Sequence, residues 1–246
     1  MSMVLREELS EGIVAITLNR PESLNALSPA LFSELNQIVT ELSKQTDSVG
    51  CVILRGAGRC FSAGNDLKAV QSGVKAKEKF FQAKTIDLIE KLPQPTIASV
   101  HGHCLTGALE LALACDLMIT SESANLADTH GKWGMVPGWG MSVRLPKRVG
   151  LLKAKEMMFT GMSINGLQAV EIGLSSQCVA DDHLKVSTLD LAESIVKNSW
   201  HTNFADKKLF LDNENQFHDA SLKMEREQSA SVASDMHERV KQGFKS

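Results

Sequence analysis

Glu110 is the one charged side chain in an otherwise apolar stretch of the sequence. From Ala108 to Cys115 the chain reads Ala-Leu-Glu-Leu-Ala-Leu-Ala-Cys. Alanine, leucine and glutamate all favour helices, and a helix that is apolar on every side is a buried helix. A buried carboxylate without a partner is costly, so Glu110 is either paired or placed there for chemistry. That chemistry would be proton transfer, because burial makes a carboxylate a stronger base.

Two glycine-bearing loops could supply hydrogen-bond donors close to Glu110. The segments "FSAGNDL" and "HGHCLTGALEL" each follow a predicted strand. Gly107 comes directly before the apolar helix, where backbone N–H groups have no partner and the helix dipole is positive. Glu110 follows one helical turn later on the same face. A second N–H group from the first loop would complete a site for a developing oxyanion. The alternative is that both loops are ordinary tight turns.

Strands and helices alternate along the first part of the chain. We predict a hairpin formed by "MVLREEL" and "GIVAITLN", followed by a helix with Ser28 as its N-cap and Pro29 at its first position. Further strands are predicted in "GCVILRGAG", "TIASV" and "DLMIT", separated by a helix in "KFFQAKTIDLIEKL" and by the apolar helix. This alternation at short intervals favours right-handed crossovers and a largely parallel sheet, hence an α/β fold.

From about Leu151 onward, predicted helices replace the alternation, apart from a strand in "SQCVA". The helices are predicted in "LLKAKEMMFTG", "INGLQAVEIGL", "HLKVSTLDLAESIVKNS" and the terminal "SLKMEREQSASVASDMHERVKQGF". We therefore divide the chain into a core over residues 1–190 and a C-terminal helical region over residues 191–246. Apolar faces on the terminal helices would need partners, which favours contacts with other subunits.

Composition argues against several kinds of partner. The 246 residues are 43% hydrophobic and carry a formal net charge of −3 without long blocks of like charge, so we expect neither nucleic acid nor a membrane as a partner. The start of the chain, "MSMVLREELSEG", lacks the basic and apolar regions of a secretory signal. Five cysteines without a CxxC spacing predict free thiols in a reducing compartment, and hence a cytoplasmic protein.

The combined motifs resemble those of the crotonase, or enoyl-CoA hydratase/isomerase, superfamily over nearly the whole chain. The matching segments, in the order and spacing of the family, are "ITLNRPESLNAL", "GAGRCFSAGNDL", "KLPQPTIASVHGHCLTGALELALACDLMIT", "WGMVPGWGMSVRLPKRVG" and "TGMSINGLQAVEIGL". The resemblance implies a spiral core of β-β-α units with a C-terminal helical region for oligomerisation. It implies an acyl-CoA thioester substrate, with coenzyme A as part of the substrate and with no separate cofactor or metal. It also implies a homotrimer, or a hexamer built as a dimer of trimers.

The resemblance also assigns roles to individual residues. The thioester carbonyl would accept hydrogen bonds from the backbone N–H groups of Asn65 and Gly107, while Glu110 would act as the acid/base. Two such donors would stabilise an enolate by on the order of 3 kcal/mol each. Trp133 and Trp139 either shape the acyl pocket or pack in the core. The remaining positions that match substrate-binding parts of the family are Ala26, on the path of coenzyme A, and Ala63, Gly64, Asp66, Leu67, Trp133, Pro137 and Gly138.

The sequence departs from the pattern of the family's hydratases near the second catalytic position. Those enzymes use a second glutamate, commonly in a Pro-Glu pair, whereas this chain has Thr129 and His130. His130 could transfer a proton as the second catalytic group, or it could merely form the pocket wall. Asp128 would point elsewhere if the segment is extended. Thr106 stands where many members carry a glycine.

These features leave three functions open. Double-bond isomerisation is favoured, because one glutamate beside an oxyanion hole suffices for it and "SAGNDL" is similar to the loop of peroxisomal-type enoyl-CoA isomerases. Hydration of the double bond, with His130 as the second group, is the alternative. A non-catalytic oligomeric scaffold is the third possibility. Loss of Glu110 or Gly107 would mark such a scaffold, and both residues are present.

Overall fold

The fold is that of a computed structural model, which describes residues 2–74, 76–228, 237 and 240–241. The strands are β1 (Val4–Ser10), β2 (Gly12–Leu18), β3 (Val49–Gly56), β4 (Thr96–Val100), β5 (His103–Leu105), β6 (Leu117–Ser121), β7 (Asn125–Ala127), β8 (Ser163–Ile164) and β9 (Gln177–Val179). The helices are α1 (Pro29–Leu42), α2 (Leu67–Gln71), α3 (Phe81–Glu90), α4 (Gly107–Leu113), α5 (Met141–Thr160), α6 (Gly166–Glu171), α7 (Leu184–Val196) and α8 (Trp200–Gln228).

A six-stranded sheet forms the centre of the fold, in the order β1-β2-β3-β4-β6-β9. The first two strands form the predicted antiparallel hairpin, and every other neighbouring pair is parallel. All residues of β2 are buried, which is typical of a strand covered on both faces. The hairpin and the largely parallel sheet are therefore confirmed.

Helices cover both faces of this sheet. On one face, Val14, Ile16 and Leu18 of β2 belong to the larger hydrophobic core, which also contains side chains of α1, α3, α4 and α5. On the other face, Ile13 and Ala15 pack in a second core under α7. Successive side chains of a strand point to opposite faces, so one short strand contributes to both cores.

Helix α1 begins where the sequence predicts it. Pro29 occupies the first position, and the Ser28 hydroxyl accepts a hydrogen bond from the backbone N–H of Leu31 at 3.2 Å. The predicted helices in the middle of the chain are present as α3, α4, α5, α6 and α7, and the strand in "SQCVA" is β9. Because these elements carry clear apolar faces or caps, they could be predicted from local pattern alone.

A second, three-stranded sheet in the order β5-β7-β8 was not predicted. Its strands contain only two or three residues each, which is too short for an alternating pattern to be recognised. The parallel pairing of β5 with β7 ends at Leu105 and Ala127. This sheet therefore brings the residues that follow each strand, Thr106 and Asp128, to the same place.

The C-terminal helices contact the sheet directly. The predicted boundary between residues 190 and 191 lies inside α7, whose buried side chains Leu184 and Ala192 pack in the second core.

Helix α8 starts at Trp200, and the Trp200 ring packs closely on the sheet. A Cβ atom added at Gly12 or Gly50 would lie 2.4 Å from this ring. Of the terminal helix predicted over 221–244, the part up to Gln228 belongs to α8, while residues 229–236, 238–239 and 242–244 lie outside the described residues. The division of the chain at 190 stays a prediction.

In the part of the chain that the structure describes, no helix is long and apolar enough to cross a bilayer. All five cysteines are free, and four of them are buried. Burial raises the pKa of Cys51 and Cys115 to about 12, and it also raises the pKa values of Cys60 and Cys104.

We predict that the buried thiols resist alkylation of the folded protein. A raised thiol pKa keeps the group protonated near neutral pH, and the thiolate is the reactive form. Iodoacetamide should therefore modify Cys178, which is only partly buried, well before Cys51, Cys104 or Cys115. Peptide mapping by mass spectrometry, with urea-unfolded protein as the control, measures the order. Equal labelling of Cys104 and Cys178 in the folded protein would contradict the buried placement.

Candidate active site

A cavity of about 540 Å³ lies between the "FSAGNDL" loop, the start of α4 and the segment that precedes α5. It contains the predicted Glu110, His130, Asn65 and Gly107. The other lining residues are Ala63, Leu67, Leu105, Thr106, Thr129, Lys132, Trp133, Met135, Val136, Gly138 and Trp139. The structure thus brings the predicted catalytic side chains and both predicted backbone donors into one cavity.

Glu110 is paired through hydrogen bonds and also lines the cavity. Its neighbours Leu109 and Leu111 are fully buried, and Glu110 itself is only 1% exposed. Its Oε1 accepts hydrogen bonds from the backbone N–H groups of Trp139 at 2.8 Å and Met141 at 3.1 Å. These amides stand at the beginning of α5, where the helix dipole also favours a negative charge. The carboxylate is therefore stabilised in its charged form although it is buried.

The predicted backbone donors, Asn65 and Gly107, lie on neighbouring loops. Gly64 has a φ of +94°, and a Cβ atom added there would lie 2.5 Å from the carbonyl oxygen of Leu105 and 3.6 Å from the backbone nitrogen of Gly107. Only glycine permits this approach of the two loops. Within the described chain, neither Asn65 N–H nor Gly107 N–H donates a hydrogen bond to another residue. Both groups are therefore available to a ligand in the cavity.

His130 is held by Asp128, contrary to the expectation for an extended segment. β7 ends at Ala127, and the chain turns at Thr129 (φ −107°, ψ 13°) into a short 3-10 helix that begins at His130. Asp128 Oδ1 lies 2.6 Å from His130 Nδ1 and accepts the backbone N–H of His130 at 3.1 Å. Because the segment turns, the Asp128 side chain points to the His130 ring rather than elsewhere.

The second ring nitrogen of His130 faces the Glu110 carboxylate. Nε2 lies 3.7 Å from Glu110 Oε2, which is longer than a direct hydrogen bond. An ionised Asp128 accepts a hydrogen bond from the Nδ1–H group and so fixes the orientation of the imidazole. Asp128, His130 and Glu110 consequently form a row of three buried groups at the cavity wall.

Arg144 fixes the segment that holds Glu110. It is 3% exposed and donates from Nε and Nη2 to both carboxylate oxygens of Glu90, at 2.9 and 2.8 Å, and from Nη2 to Asp87 at 2.9 Å. Its Nη1 donates to the carbonyl oxygen of Trp139 at 2.7 Å. Trp139 is thus held on its carbonyl side by Arg144 and on its N–H side by Glu110. Removing one partner of such a buried ion pair typically costs about 3–5 kcal/mol.

The predicted substrate-binding residues divide into two groups. Ala63, Leu67, Trp133 and Gly138 line the cavity, whereas Ala26, Gly64, Asp66 and Pro137 are not among its lining residues. Gly64 acts instead at the junction of the two loops, as described above.

Asp66 stabilises the loop that carries Asn65. It accepts a hydrogen bond from Ala69 N–H as the N-cap of α2 and pairs with Arg20 at 2.9 Å. Burial alone would raise the pKa of Asp66, but the hydrogen bonds from Arg20 and from the backbone hold it below its usual value. Arg20 also donates to the carbonyl oxygen of Ala26 at 2.6 Å. Asp66 and Ala26 therefore belong to the hydrogen-bonded support of the site.

Several lining residues were not predicted to belong to the site. Lys132, Met135 and Val136 follow His130 in a segment without periodicity, so no local pattern indicates which of them face inward. Asp128 could have been found from the Asp-Thr-His spacing, because an aspartate often bonds to the backbone two residues later. Trp139 both lines the cavity and packs edge-to-face on Phe32, at 5.1 Å between ring centroids; its role in shaping an acyl pocket stays a prediction.

No metal site is evident in the ranges that the structure covers. There, no group of three or more histidine, cysteine, aspartate or glutamate side chains is arranged to hold a metal ion.

Comparisons with known proteins show which family the chain is similar to. The sequence pattern of the family described as enoyl-CoA hydratase/isomerase matches residues 8–246. "Probable enoyl-CoA hydratase 1, peroxisomal" of Arabidopsis thaliana is 35% identical over 189 residues, covering 77% of this chain and 71% of the relative. The short-chain-enoyl-CoA hydratase of Clostridium acetobutylicum is 34% identical over 194 residues, covering 77% of this chain and 74% of the relative.

A solved structure has the same fold. The crystal structure of an enoyl-CoA hydratase/isomerase from Xanthobacter autotrophicus Py2 superposes with a TM-score of 0.90 at 32% identity, covering 99% of this chain and 93% of that one. Fold and cavity thus define a crotonase-type enzyme that acts on acyl-CoA. The chain belongs to the enoyl-CoA hydratase/isomerase family.

We predict that Gly107→Ala impairs the site through Trp139. The added Cβ would lie 2.4 Å from Cζ3 of the Trp139 ring, so either the ring or the Gly107 N–H must move. Displacement of one oxyanion donor typically costs on the order of 10² in kcat, which steady-state kinetics on an enoyl-CoA would measure. Gly131→Ala is the matched control, because its Cβ would meet only the carbonyl oxygen of Met158, at 3.8 Å. Wild-type activity of Gly107→Ala would contradict the tight packing of Trp139 on this loop.

Proposed function

We propose that the enzyme adds water across the α,β double bond of an enoyl-CoA thioester, with Glu110 and His130 as the acid/base pair. The observation that carries this proposal is the placement of His130, which Asp128 orients so that Nε2 faces Glu110 Oε2 at 3.7 Å. A histidine that only formed the pocket wall would need no buried carboxylate behind it. The histidine thus takes the place of the second glutamate of the family's hydratases.

The thioester carbonyl binds to the backbone N–H groups of Asn65 and Gly107 in this proposal. Two features support it: neither group donates to another residue of the described chain, and both line the cavity that contains Glu110. Negative charge develops on the carbonyl oxygen when the β-carbon is attacked. Preorganised amides stabilise that charge by on the order of 3 kcal/mol each.

The proton transfers then balance within the site. Glu110, kept in its charged form by the amides of Trp139 and Met141, removes a proton from water while the oxygen bonds to the β-carbon. The enolate takes a proton at the α-carbon from the protonated His130, which Asp128 stabilises. The product is a 3-hydroxyacyl-CoA. Transfer of the proton from Glu110 to His130, across a gap slightly longer than a hydrogen bond, restores the starting state.

Double-bond isomerisation with Glu110 alone is the second candidate function. The observation that favours it is that Glu110 is the one carboxylate among the described residues that line the cavity. A single base could remove a proton from the γ-carbon and return it to the α-carbon through the same stabilised enolate. We place hydration first because isomerisation leaves the Asp128–His130 contact without a purpose.

The apolar wall of the cavity and the free cysteines support proposals about the substrate and the cellular compartment. Trp133, Met135, Val136 and Trp139 give the cavity an apolar wall that suits an acyl chain. We propose that coenzyme A enters as part of the substrate and that no separate cofactor takes part. Five free cysteines support a reducing compartment, and we retain the cytoplasm as the proposal.

We also propose a homotrimer, or a hexamer built from two trimers. Beyond the kink at Gly150, α5 exposes large apolar side chains: Leu151 is 60%, Leu152 85% and Phe159 80% exposed in the single chain. Phe210 of α8 is 72% exposed. Large apolar side chains this exposed on the C-terminal helices support a surface that a second copy covers.

We predict that substitutions at Glu110 and His130 distinguish the two reactions. Glu110→Gln keeps the shape but cannot take a proton, so it should lower kcat by about 10²–10⁴ in either reaction while acyl-CoA still binds. His130→Ala should lower hydration by a comparable factor but isomerisation by less than about tenfold. Rates with α,β- and β,γ-enoyl-CoA esters measure both reactions, and His103→Ala, an exposed histidine, is the control.

The outcomes separate the candidates. Hydration by wild type and its loss in His130→Ala support the two-group reaction. Isomerisation alone, unaffected by His130→Ala, overturns the first proposal in favour of the second. Wild-type activity of Glu110→Gln in both assays would overturn both, because each requires this carboxylate.

We predict a trimeric or hexameric mass in solution by light scattering coupled to gel filtration. Phe159→Glu should shift the mass toward the monomer, because it buries a charge in the proposed contact. Val74→Glu is the matched control, since Val74 is also exposed, at 56%, but lies in the loop that follows α2 rather than on a C-terminal helix. A monomeric wild type at micromolar concentration would refute the assembly.

A further inference from the structure

Two threonines join the loop of the backbone donor to the segment of the acid/base pair. Thr106 directly precedes Gly107, and Thr129 lies between Asp128 and His130. The two hydroxyl groups are hydrogen-bonded to each other. In addition, the backbone N–H of Thr129 donates to Thr106 Oγ1 at 3.1 Å. These contacts continue the β5–β7 pairing, because Thr106 N–H donates to Ala127 O at 2.8 Å.

Thr106 has a backbone conformation that a threonine rarely adopts. Its φ is 53° and its ψ is −109°. A β-branched residue at positive φ is strained, and such strain persists only where the surroundings enforce it. Here the hydroxyl group bonds twice to Thr129, and the side chain is 8% exposed. The contact between the two threonines therefore fixes the conformation of Thr106.

That conformation decides where the Gly107 N–H points. The ψ angle of Thr106 sets the plane of the peptide bond between Thr106 and Gly107, which carries the N–H group of Gly107, a residue that lines the cavity. Thr129 is joined by peptide bonds to Asp128 on one side and to His130 on the other. The contact between Thr106 and Thr129 thus links the direction of the Gly107 N–H group to the position of His130.

The two residue types are matched to each other. A glycine at position 106 would have no hydroxyl group to accept the N–H, and a proline at position 129 would have no N–H to donate. The two departures from the crotonase pattern noted in the sequence, Thr106 and Thr129, are therefore one structural unit.

We propose that Thr106 and Thr129 are positioning residues, which fix the Gly107 N–H relative to His130 so that carbonyl polarisation and proton transfer act on the same bound acyl group. This inference rests on the proposed function in its use of Gly107 as a donor. Neither threonine needs to exchange a proton with the substrate. Misplacement by a fraction of an ångström in such an arrangement lowers kcat more than it weakens binding.

The test is a double-mutant cycle with Thr106→Val and Thr129→Val. Valine has nearly the same shape as threonine but carries a methyl group in place of the hydroxyl group. Each single variant should lower kcat by about tenfold or more while KM changes less than about threefold. The double variant should lose no more than the worse single variant, because both substitutions break the same contact. Thr106→Ser, which retains the hydroxyl, should keep most of the activity.

Thr120→Val is the control for removing a buried hydroxyl away from the cavity, since Thr120 is fully buried and bonds to Gly166 O and Ser175 Oγ. It should lower thermal stability without a selective loss of kcat. The positioning role is overturned if Thr106→Val behaves like Thr120→Val, or if the effects of the two single variants on kcat multiply independently.

Hydration and isomerisation are both followed in every variant, so the two proposals fail in different ways. A wild type that only isomerises overturns the proposed hydration, and the coupling of the threonines is then measured on isomerisation. A wild type that hydrates, with unchanged kcat in Thr106→Val, overturns the positioning role alone.

Discussion

The site depends on one buried interaction. The Glu110 carboxylate accepts hydrogen bonds from backbone amides at and just before the start of α5. A carboxylate that is 1% exposed needs compensation, and the N–H groups of Trp139 and Met141 provide it at a helix end. The same contact fixes α4 against the beginning of α5. It therefore places the carboxylate at the cavity and, through Trp139, sets one wall of that cavity.

Other parts of the structure maintain that contact. Arg144 holds the Trp139 carbonyl group and is neutralised by Glu90 and Asp87 of α3, so three helices converge behind the site. The short sheet β5-β7-β8 performs a similar task on the other side of the cavity. It aligns the residue before Gly107 with the residues before His130. Gly107, Glu110 and His130 are thus fixed by different elements that meet at one cavity.

Much of the fold and the central residues of the site could be predicted from the sequence. Glu110 and Gly107 were found because a single charge inside an apolar helix, and a glycine at its start, are local signals. The hairpin, α1 with its Ser28 cap and the largely parallel sheet were also local patterns. The very short strands, the Arg144 ion pairs and the threonine contact could not be predicted. Each of them is made by side chains or strands that become neighbours only when the chain folds, so no local sequence pattern indicates them. The Asp128–His130 contact joins residues only two positions apart, and it was missed because the segment was expected to be extended.

The most direct test of the account is the infrared band of the thioester carbonyl in a bound enoyl-CoA. An isotopic label on the carbonyl carbon isolates this band, and the Glu110→Gln protein keeps the ligand from reacting. If the N–H groups of Asn65 and Gly107 both donate to the carbonyl oxygen, the band lies at a lower frequency than in water, because the bond is polarised. A band at its solution frequency for a fully bound ligand would contradict the placement of the acyl group between these amides and Glu110.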